Sequence, residues 1–255
     1  MAAAVRVKTI ERIEAGALAS VIRRRRPAVV TGLLGNGPQL TLDELAEGWG
    51  ECAVPVAPVV DGAVAYGSDT GVPFRDIPVA DVIAGLEGPN PGMVSCRPSD
   101  YLPGLEERLP GFDPGRKAPW SRARIWVSPP RTVTPLHHEV TNNLLSQLQG
   151  PKEVTLYAPW TRWAMYPERP WSRMPHVSRV AAHKPDLKRF PLFARATPWR
   201  ANLVPGDTLF IPAFWWHWVQ TTKASLSYNL WFAGGAVALL ARTMELYKSV
   251  RKLSL

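Results

Sequence analysis

Cys52 and Cys96 are the only cysteines in 255 residues, far too few for a disulfide scaffold, so a reduced cytoplasmic setting is expected by default. No apolar run approaches the roughly 20 residues that span a bilayer, so no membrane segment is expected. The opening MAAAVRVKTIERIEAG lacks the apolar core and cleavage site of a secretory signal, and Glu11 and Glu14 fall too early for a transit peptide. Internal repeats and low-complexity linkers are absent. Acidic residues are in short supply: 21 Asp and Glu stand against 30 Lys and Arg, a net charge of +9. The imbalance is sharpest between Trp160 and Arg200, where only Glu168 and Asp186 oppose a series of cations. Such a surface suits an acidic partner. The plainer reading is an Arg- and Ala-rich composition that supplies basic surfaces freely.

The length suits one large core, and all-β barrels of this size are commonly single domains. Residues 1–235 are therefore expected to form one catalytic domain, followed by a helix over 236–255. Ile10, Ile13, Ala17 and Val21 recur at helical spacing and predict an amphipathic helix over 8–25, stopped by Pro27. The Arg23–Arg26 run suits the negative end of its dipole. PAVVTGLL (27–34) reads as a buried strand entering a turn. Thr41 and Glu44 form a capping-box pattern opening a short helix towards Trp49. Val-rich, Pro-punctuated residues 51–66 suggest short strands. Pro78 suits the first turn of a helix through Leu86. Residues 87–123 read as long connections with one helical turn.

From Ile125 the texture changes to short β-type runs: ARIWVS, NLLSQLQ, EVTLYAP, DTLFIP and SLSYNLWF, several bounded by Gly or Pro. These predict an all-β core of barrel or sandwich type, flanked by helices. Residues 160–200 interrupt it with a Trp-, Pro- and Arg-rich excursion, and a connection of that length is usually functional or carries its own structure. In the final helix Val237, Leu240, Met244 and Tyr247 make one apolar stripe and Leu239, Leu246, Val250 and Leu253 another. Both need cover. One could lie against a partner in a homodimer, although a helix folded back on its own barrel explains the pattern equally.

The chemistry centres on Thr134-Pro-Leu-His-His-Glu139 and, later, Phe214-Trp-Trp-His-Trp218. Residues i and i+2 of a strand share a face, so His137 and Glu139 can reach one metal ion. His217, from a later strand, can supply a third ligand. Two imidazoles and a carboxylate on one face of an octahedron leave the other open, as in non-haem Fe(II) oxygenases. A bare H-x-E is weak by itself, since a His near a strand is more often a packed residue than a ligand. His138 alternates to the opposite face and is read as non-ligating, near the pocket mouth. His176 and His183 have no partner at ligand spacing and read as surface or substrate-facing.

The segments TPLHHEVTNNLLSQLQGPKEVTLYAPW (134–160) and VPGDTLFIPAFWWHWVQTTKASLSYNLWF (204–232) resemble the cupin-like branch of the JmjC family. That branch includes the asparaginyl hydroxylase that inhibits hypoxia-inducible factor. The shared pattern is TP-x-H-x-D/E, then Asn, then Q-x-x-G-x-K, later PGD-x-L-F/Y-IP-x-x-WWH and a closing N-x-W. Every element is present in order; over residues 1–120 the likeness rests mainly on RPAVVTGLL.

The resemblance implies a double-stranded β-helix (cupin or jelly-roll barrel) binding Fe(II) and the co-substrate 2-oxoglutarate. His137, Glu139 and His217 match the iron ligands, with Glu139 where many relatives carry Asp. Lys152 matches the cation that pairs with the distal carboxylate of 2-oxoglutarate, and Thr134 a hydroxyl donor to it. A Lys inside a barrel is costly unless an anion accompanies it, which supports that role independently. Asn143 and Asn229 match amides lining the co-substrate pocket, although a barrel hydrogen-bonding role explains them almost as well. The PGD at 205–207 is read structurally, as a turn capped by Asp207. Trp215, Trp216 and Trp218 are read as packing groups at the barrel mouth, and Trp126 and Trp231 as core.

The expected activity is hydroxylation of a C–H bond on a protein or peptide side chain or an amino-acid-like small molecule. Removal of an N-methyl group follows from the same chemistry. A non-oxygenase metal cupin (isomerase or decarboxylase) and a non-catalytic cupin binding protein are the alternatives. The former is opposed by Lys152 with Thr134, the latter by the complete ligand set. The excursion between the second and third ligands is expected to overhang the barrel mouth and to favour an acidic peptide or an anionic small molecule, with nucleic acid less favoured.

Overall fold

Along the chain run the strands β1 (Lys8–Thr9), β2 (Arg12–Glu14) and β3 (Ala28–Thr31), with helix α1 (Leu18–Arg24) before β3. Helix α2 (Leu42–Trp49), strands β4 (Ala53–Val60), β5 (Ala63–Val64) and β6 (Arg75–Pro78), and helix α3 (Val79–Ala84) follow. Next come β7 (Gly92–Cys96), α4 (Pro98–Tyr101), α5 (Leu105–Arg108), β8 (Trp120–Ser128), β9 (Val133–His137), β10 (Asn142–Gln149) and β11 (Lys152–Tyr157). After the excursion lie β12 (Trp199–Leu203), β13 (Thr208–Ile211), β14 (Trp216–Thr221), β15 (Ser225–Ala233) and α6 (Gly235–Val250). The structure is a computed structural model describing residues 7–35, 39–64, 74–109, 120–172 and 174–250, with side chains through Thr243.

The pairing from β8 onward is nested. β8 pairs with β15, β9 with β14, β10 with β13 and β11 with β12, all antiparallel. Residues 120–233 thus form one long hairpin, wound on itself by the pairing of β10 with β15 and β11 with β14. Two sheets result, β8–β15–β10–β13 and β12–β11–β14–β9, and the architecture is the double-stranded β-helix. The tip of this hairpin is the excursion. Between the sheets pack Leu145, Val154, Leu156, Leu203, Leu209 and Ile211. Helices α2 and α3 cover the outer face of the first sheet, where Leu45 and Val82 meet Ile125, Val127 and Leu226. Helix α1 covers the rest through Leu18 and Val21, against Leu144, Phe210 and Phe232. Strand β10 is therefore buried on both faces, which is why NLLSQLQ reads as an almost unbroken run.

Several expectations need correcting. Residues 8–25 are not one helix. Lys8–Thr9 runs parallel to β12 and Arg12–Glu14 parallel to β3, a 3₁₀ turn covers Ala15–Ala17, and only Leu18–Arg24 is α-helical. Within residues 8–14 only Ile10 and Ile13 are apolar, too few to set a period. Open sheet edges decide between helix and strand, because an unpaired edge leaves backbone donors and acceptors without partners. Residues 8–14 border both sheets, and Ile10 drops into the core between them. Residues 87–123 also hold more than connections: β7 joins β4 to β8 with Met93, Val94 and Cys96 buried, and there are two short helices. Strand β12 lies at the end of the stretch read as excursion. Among the described side chains of α6, Ala238 and Ala241 are buried while Leu239 and Leu240 are 67% and 43% exposed; Met244, Leu246, Tyr247, Val250 and Leu253 of the two apolar stripes lie outside the described side chains.

Other local readings match the structure. Thr41 Oγ1 accepts from Glu44 N (3.1 Å) and Thr41 N donates to Glu44 Oε2 (2.9 Å), closing the capping box of α2. Asp207 caps the β12–β13 turn by accepting from Val204 N (3.0 Å), and its other carboxylate oxygen pairs with Arg12. That ion pair ties the N-terminal strands to the barrel.

Candidate metal centre and co-substrate pocket

The nested pairing sets β9 beside β14 with His137 and His217 as register partners, their ring centroids 4.2 Å apart. Glu139 joins them from just beyond the end of β9, not from within the strand as i, i+2 alternation supposes. Its backbone carbonyl accepts from Phe214 N (2.7 Å), which clasps the segment after β9 to the turn before β14. Ligand atoms of His137, Glu139 and His217 all lie within 4.8 Å of one another, and among the described residues this is the one such group.

The imidazoles are oriented for ligation. His137 Nδ1 lies 2.8 Å from Pro135 O, and His217 Nδ1 lies 3.1 Å from Trp215 O. A carbonyl only accepts, so each Nδ1 carries the proton and each Nε2 keeps its lone pair. Burial, reinforced by the neighbouring His137, holds the pKa of His217 well below the usual imidazole range. It is therefore neutral at physiological pH, as a metal ligand must be. Two neutral imidazoles with one carboxylate are a donor set suited to a divalent iron ion. His138 turns away, edge-on to Trp216 at 4.5 Å and 6.2 Å from the Phe214 ring. Burial first, then His137 and Arg162, push its pKa down to about 4. It lies outside the ligand group.

A pocket of about 490 Å³, measured to its open mouth, lies between the two sheets and is shared by the three ligands with Thr134, Asn143, Lys152 and Asn229. Lys152 enters from β11 on the same face as Val154 and Leu156. Gly150 makes that entry feasible: it sits at φ +71°, and a Cβ there would lie 2.3 Å from Ala224 O. The Lys152 ammonium donates to Ser227 Oγ, with no ion pair to any acidic residue among those described. Burial pushes its pKa down to about 7. A buried cation held only by a hydroxyl is a site for an anion. Asn143 Nδ2 donates to Glu139 Oε2 (3.3 Å) and Asn229 Nδ2 to Asn143 Oδ1 (3.1 Å), so both amides line the pocket and also hydrogen-bond within the barrel.

Trp126 and Trp231, read as core, are respectively half-buried and buried, and both also line the pocket. Ser227, the hydrogen-bond partner of Lys152, is a residue of the site's surroundings that sequence reasoning misses. Its signal is the alternation Ser225, Ser227, Asn229, Trp231 along β15, a polar face on a strand whose other face is apolar.

The excursion packs against the ligand strand. Ser178 N donates to Leu136 O (2.8 Å), His138 N donates to His176 O (3.1 Å), and Val177 bridges to His137. Beneath it, Met165, Val180, Phe190 and Phe193 form a small core with Leu136, Tyr157 and Trp216. Its surface carries Trp160, Trp163 and Trp171, respectively 72%, 54% and 78% exposed. Arg162, Arg169, Arg179, Lys184, Lys188 and Arg189 are exposed there without ion-pair partners among the described residues. Asp186 is occupied in accepting from Lys188 N and Arg189 N. Arg173 lies outside the described residues.

Residues 15–235 match the family described as the cupin-like domain, and the chain belongs to that family. It is 38% identical over 109 residues to "Lysine-specific demethylase 8" of Danio rerio, covering 42% of this chain and 26% of that protein. Over 109 residues it is 33% identical to "Jumonji C domain-containing protein 5" of Drosophila melanogaster, covering 43% and 27%. With human "HSPB1-associated protein 1" the identity is 36% over 124 residues, covering 48% and 25%. The matched region thus spans about a quarter of each of these relatives. JmjC-type cupin-like proteins use Fe(II) and 2-oxoglutarate. The donor set and a Lys152 without an acidic partner fit both: His137, Glu139 and His217 would hold the metal, and Lys152 with Thr134 the distal carboxylate.

Proposed function

We propose that the protein is an Fe(II)- and 2-oxoglutarate-dependent oxygenase that hydroxylates a C–H bond on a side chain of an acidic peptide or protein segment. The observation that carries this reading is one pocket holding both a two-His, one-carboxylate group and a buried lysine without an acidic partner. Iron with 2-oxoglutarate and O2 supplies the oxidation, coupling decarboxylation to succinate and CO2 with insertion of one oxygen atom into the substrate C–H bond. The protein's own residues bind, orient and shield. Lys152, steadied by Ser227, neutralises the distal carboxylate, with the Thr134 hydroxyl beside it. Trp126 and Trp231 wall the cavity and keep bulk water from the reacting centre. The exposed cations and indoles of the excursion, packed against the strand that bears His137, suit an acidic polypeptide with an apolar anchor.

N-methyl removal is a second reading, supported by the name of the Danio rerio relative. Hydroxylating an N-methyl carbon releases formaldehyde by the same chemistry, so the pocket serves either outcome. Anaerobic absorption spectroscopy with Fe(II), before and after adding 2-oxoglutarate, tests the shared core of both. A visible charge-transfer band, lost in His217→Ala and weakened in Lys152→Ala, is expected. Iron binding without a band would favour a non-oxygenase metal cupin, and absence of iron binding would overturn the reading.

A further inference from the structure

Glu139 lies beyond the end of its strand, so the β9 ladder does not hold it. It also has one more rotatable bond than an aspartate, and that freedom must be restrained if the carboxylate is to face two rigid imidazoles. A directed pair of hydrogen bonds contributes such a restraint. Asn143, only 2% exposed on β10, donates through Nδ2 to Glu139 Oε2 at 3.3 Å. Asn229, 4% exposed on β15, donates through Nδ2 to Asn143 Oδ1 at 3.1 Å. The direction is forced. An ionised carboxylate can only accept, so Asn143 must present its amide nitrogen to Glu139 and keep its oxygen for Asn229.

We infer that Asn229 and Asn143 form a relay whose task is to fix the turn of the Glu139 carboxylate, making both asparagines positioning residues for metal ligation. This rests on the metal-dependent reading proposed above and assigns to these amides a duty separate from contact with co-substrate. The relay runs from β15 through β10 to the segment after β9, and so couples both sheets to a carboxylate that lies beyond the β9 ladder. It also accounts for a glutamate here. At 3.3 Å the bond is already long, so a carboxylate one methylene shorter is expected to engage Asn143 less well.

The test is Mn(II) affinity, read from the electron paramagnetic resonance signal of the free ion in titrations without 2-oxoglutarate, alongside thermal unfolding of the metal-free proteins. Asn143→Ala is expected to weaken Mn(II) binding roughly 10- to 100-fold, the usual consequence of losing a hydrogen-bond partner of a ligand. Asn229→Ala is expected to weaken it less, and it carries the test if Asn143→Ala fails to fold. In a Glu139→Asp background, Asn143→Ala is expected to change affinity by about twofold or less, because the shorter side chain engages the relay less well. Unchanged affinity in both asparagine variants would overturn the inference, as would an equal loss in the Glu139 and Glu139→Asp backgrounds. Failure of the unaltered protein to bind Mn(II) would overturn this inference and the oxygenase reading together; binding with no effect of the asparagines would sink the inference alone.

Discussion

His137 and His217 are direct register partners across the β9–β14 ladder, each with Nδ1 turned to a backbone carbonyl two residues earlier in its own segment. Two candidate ligands from distant parts of the sequence thereby share one local geometry. The neighbouring His138 does not take part, which gives a sharp contrast. His217→Ala is expected to lose Mn(II) affinity by well over the 10- to 100-fold typical of losing a ligand's hydrogen-bond partner. His138→Ala is expected to stay within a few-fold of the unaltered protein. Similar losses in both would remove His217 from its special place.

Lys152 makes stability depend on pH in a particular direction. Its pKa is depressed from 10.5 to about 7 in the folded protein. Between those values the unfolded chain binds the extra proton, so the metal- and ligand-free protein is expected to gain stability as pH rises from about 7 towards 10. Below about pH 7 the burial penalty is fully present. At about 1.4 kcal/mol per pKa unit the span amounts to a few kcal/mol. Thermal unfolding between pH 6.5 and 9.5 should show the rise, and Lys152→Met should flatten it.

The same lysine links 2-oxoglutarate to protons. An anion beside Lys152 favours its charged form, so binding takes up a proton wherever the free lysine is neutral. Affinity for 2-oxoglutarate is expected to fall as pH climbs above about 7, approaching tenfold per unit, and Lys152→Met should lose both the affinity and its slope. Isothermal titration calorimetry at several pH values, in buffers of different ionisation enthalpy, measures both. A pH-independent affinity in the unaltered protein would contradict a lysine anchor.

Arg162 and Arg179 are exposed on the excursion, and Arg162 is close enough to His138 to lower its pKa. Reversing both charges (Arg162→Glu with Arg179→Glu) is expected to raise KM for an acidic peptide substrate at least tenfold at low salt, with the effect shrinking as salt rises. Decarboxylation of 2-oxoglutarate without substrate should be unchanged. Unaltered peptide kinetics would remove the excursion from substrate binding.

Asp207 is buried, caps the β12–β13 turn and pairs with Arg12. Arg12 is half exposed, so most of the effect comes from the cap. Asp207→Ala is expected to destabilise the fold by about 1–3 kcal/mol in urea unfolding. Mn(II) affinity of the folded fraction should remain the same.

Local chemistry is legible without coordinates. The Thr41–Glu44 capping box, the Pro205-Gly206-Asp207 turn and the runs that become β8, β10, β11, β13 and β15 depend on sequence neighbours and on face alternation, both written in residue order. The candidate ligands stand out because His137, Glu139 and His217 sit inside two motif blocks that occur together in order, where H-x-E alone would be weak. Residues 8–14 resist a local reading because only Ile10 and Ile13 among them are apolar, too few to establish a period, and the bare sheet edges choose. That Trp126 and Trp231, read as core, also wall the pocket is not legible locally, because a large aromatic side chain looks the same in either place.

By itself, then, the order of residues determined the family, the β-rich second half, the donor set and the lysine suited to an anion. Tertiary structure decided what no local pattern encodes: the winding that makes His137 and His217 register partners, the clasp from Phe214 to Glu139, and the reach of Asn229 through Asn143 to that carboxylate. The reason is physical. Alternation tells a side chain which face it takes, but only the nested pairing of distant strands, closed by the burial of both sheets, tells it which residue it will meet there.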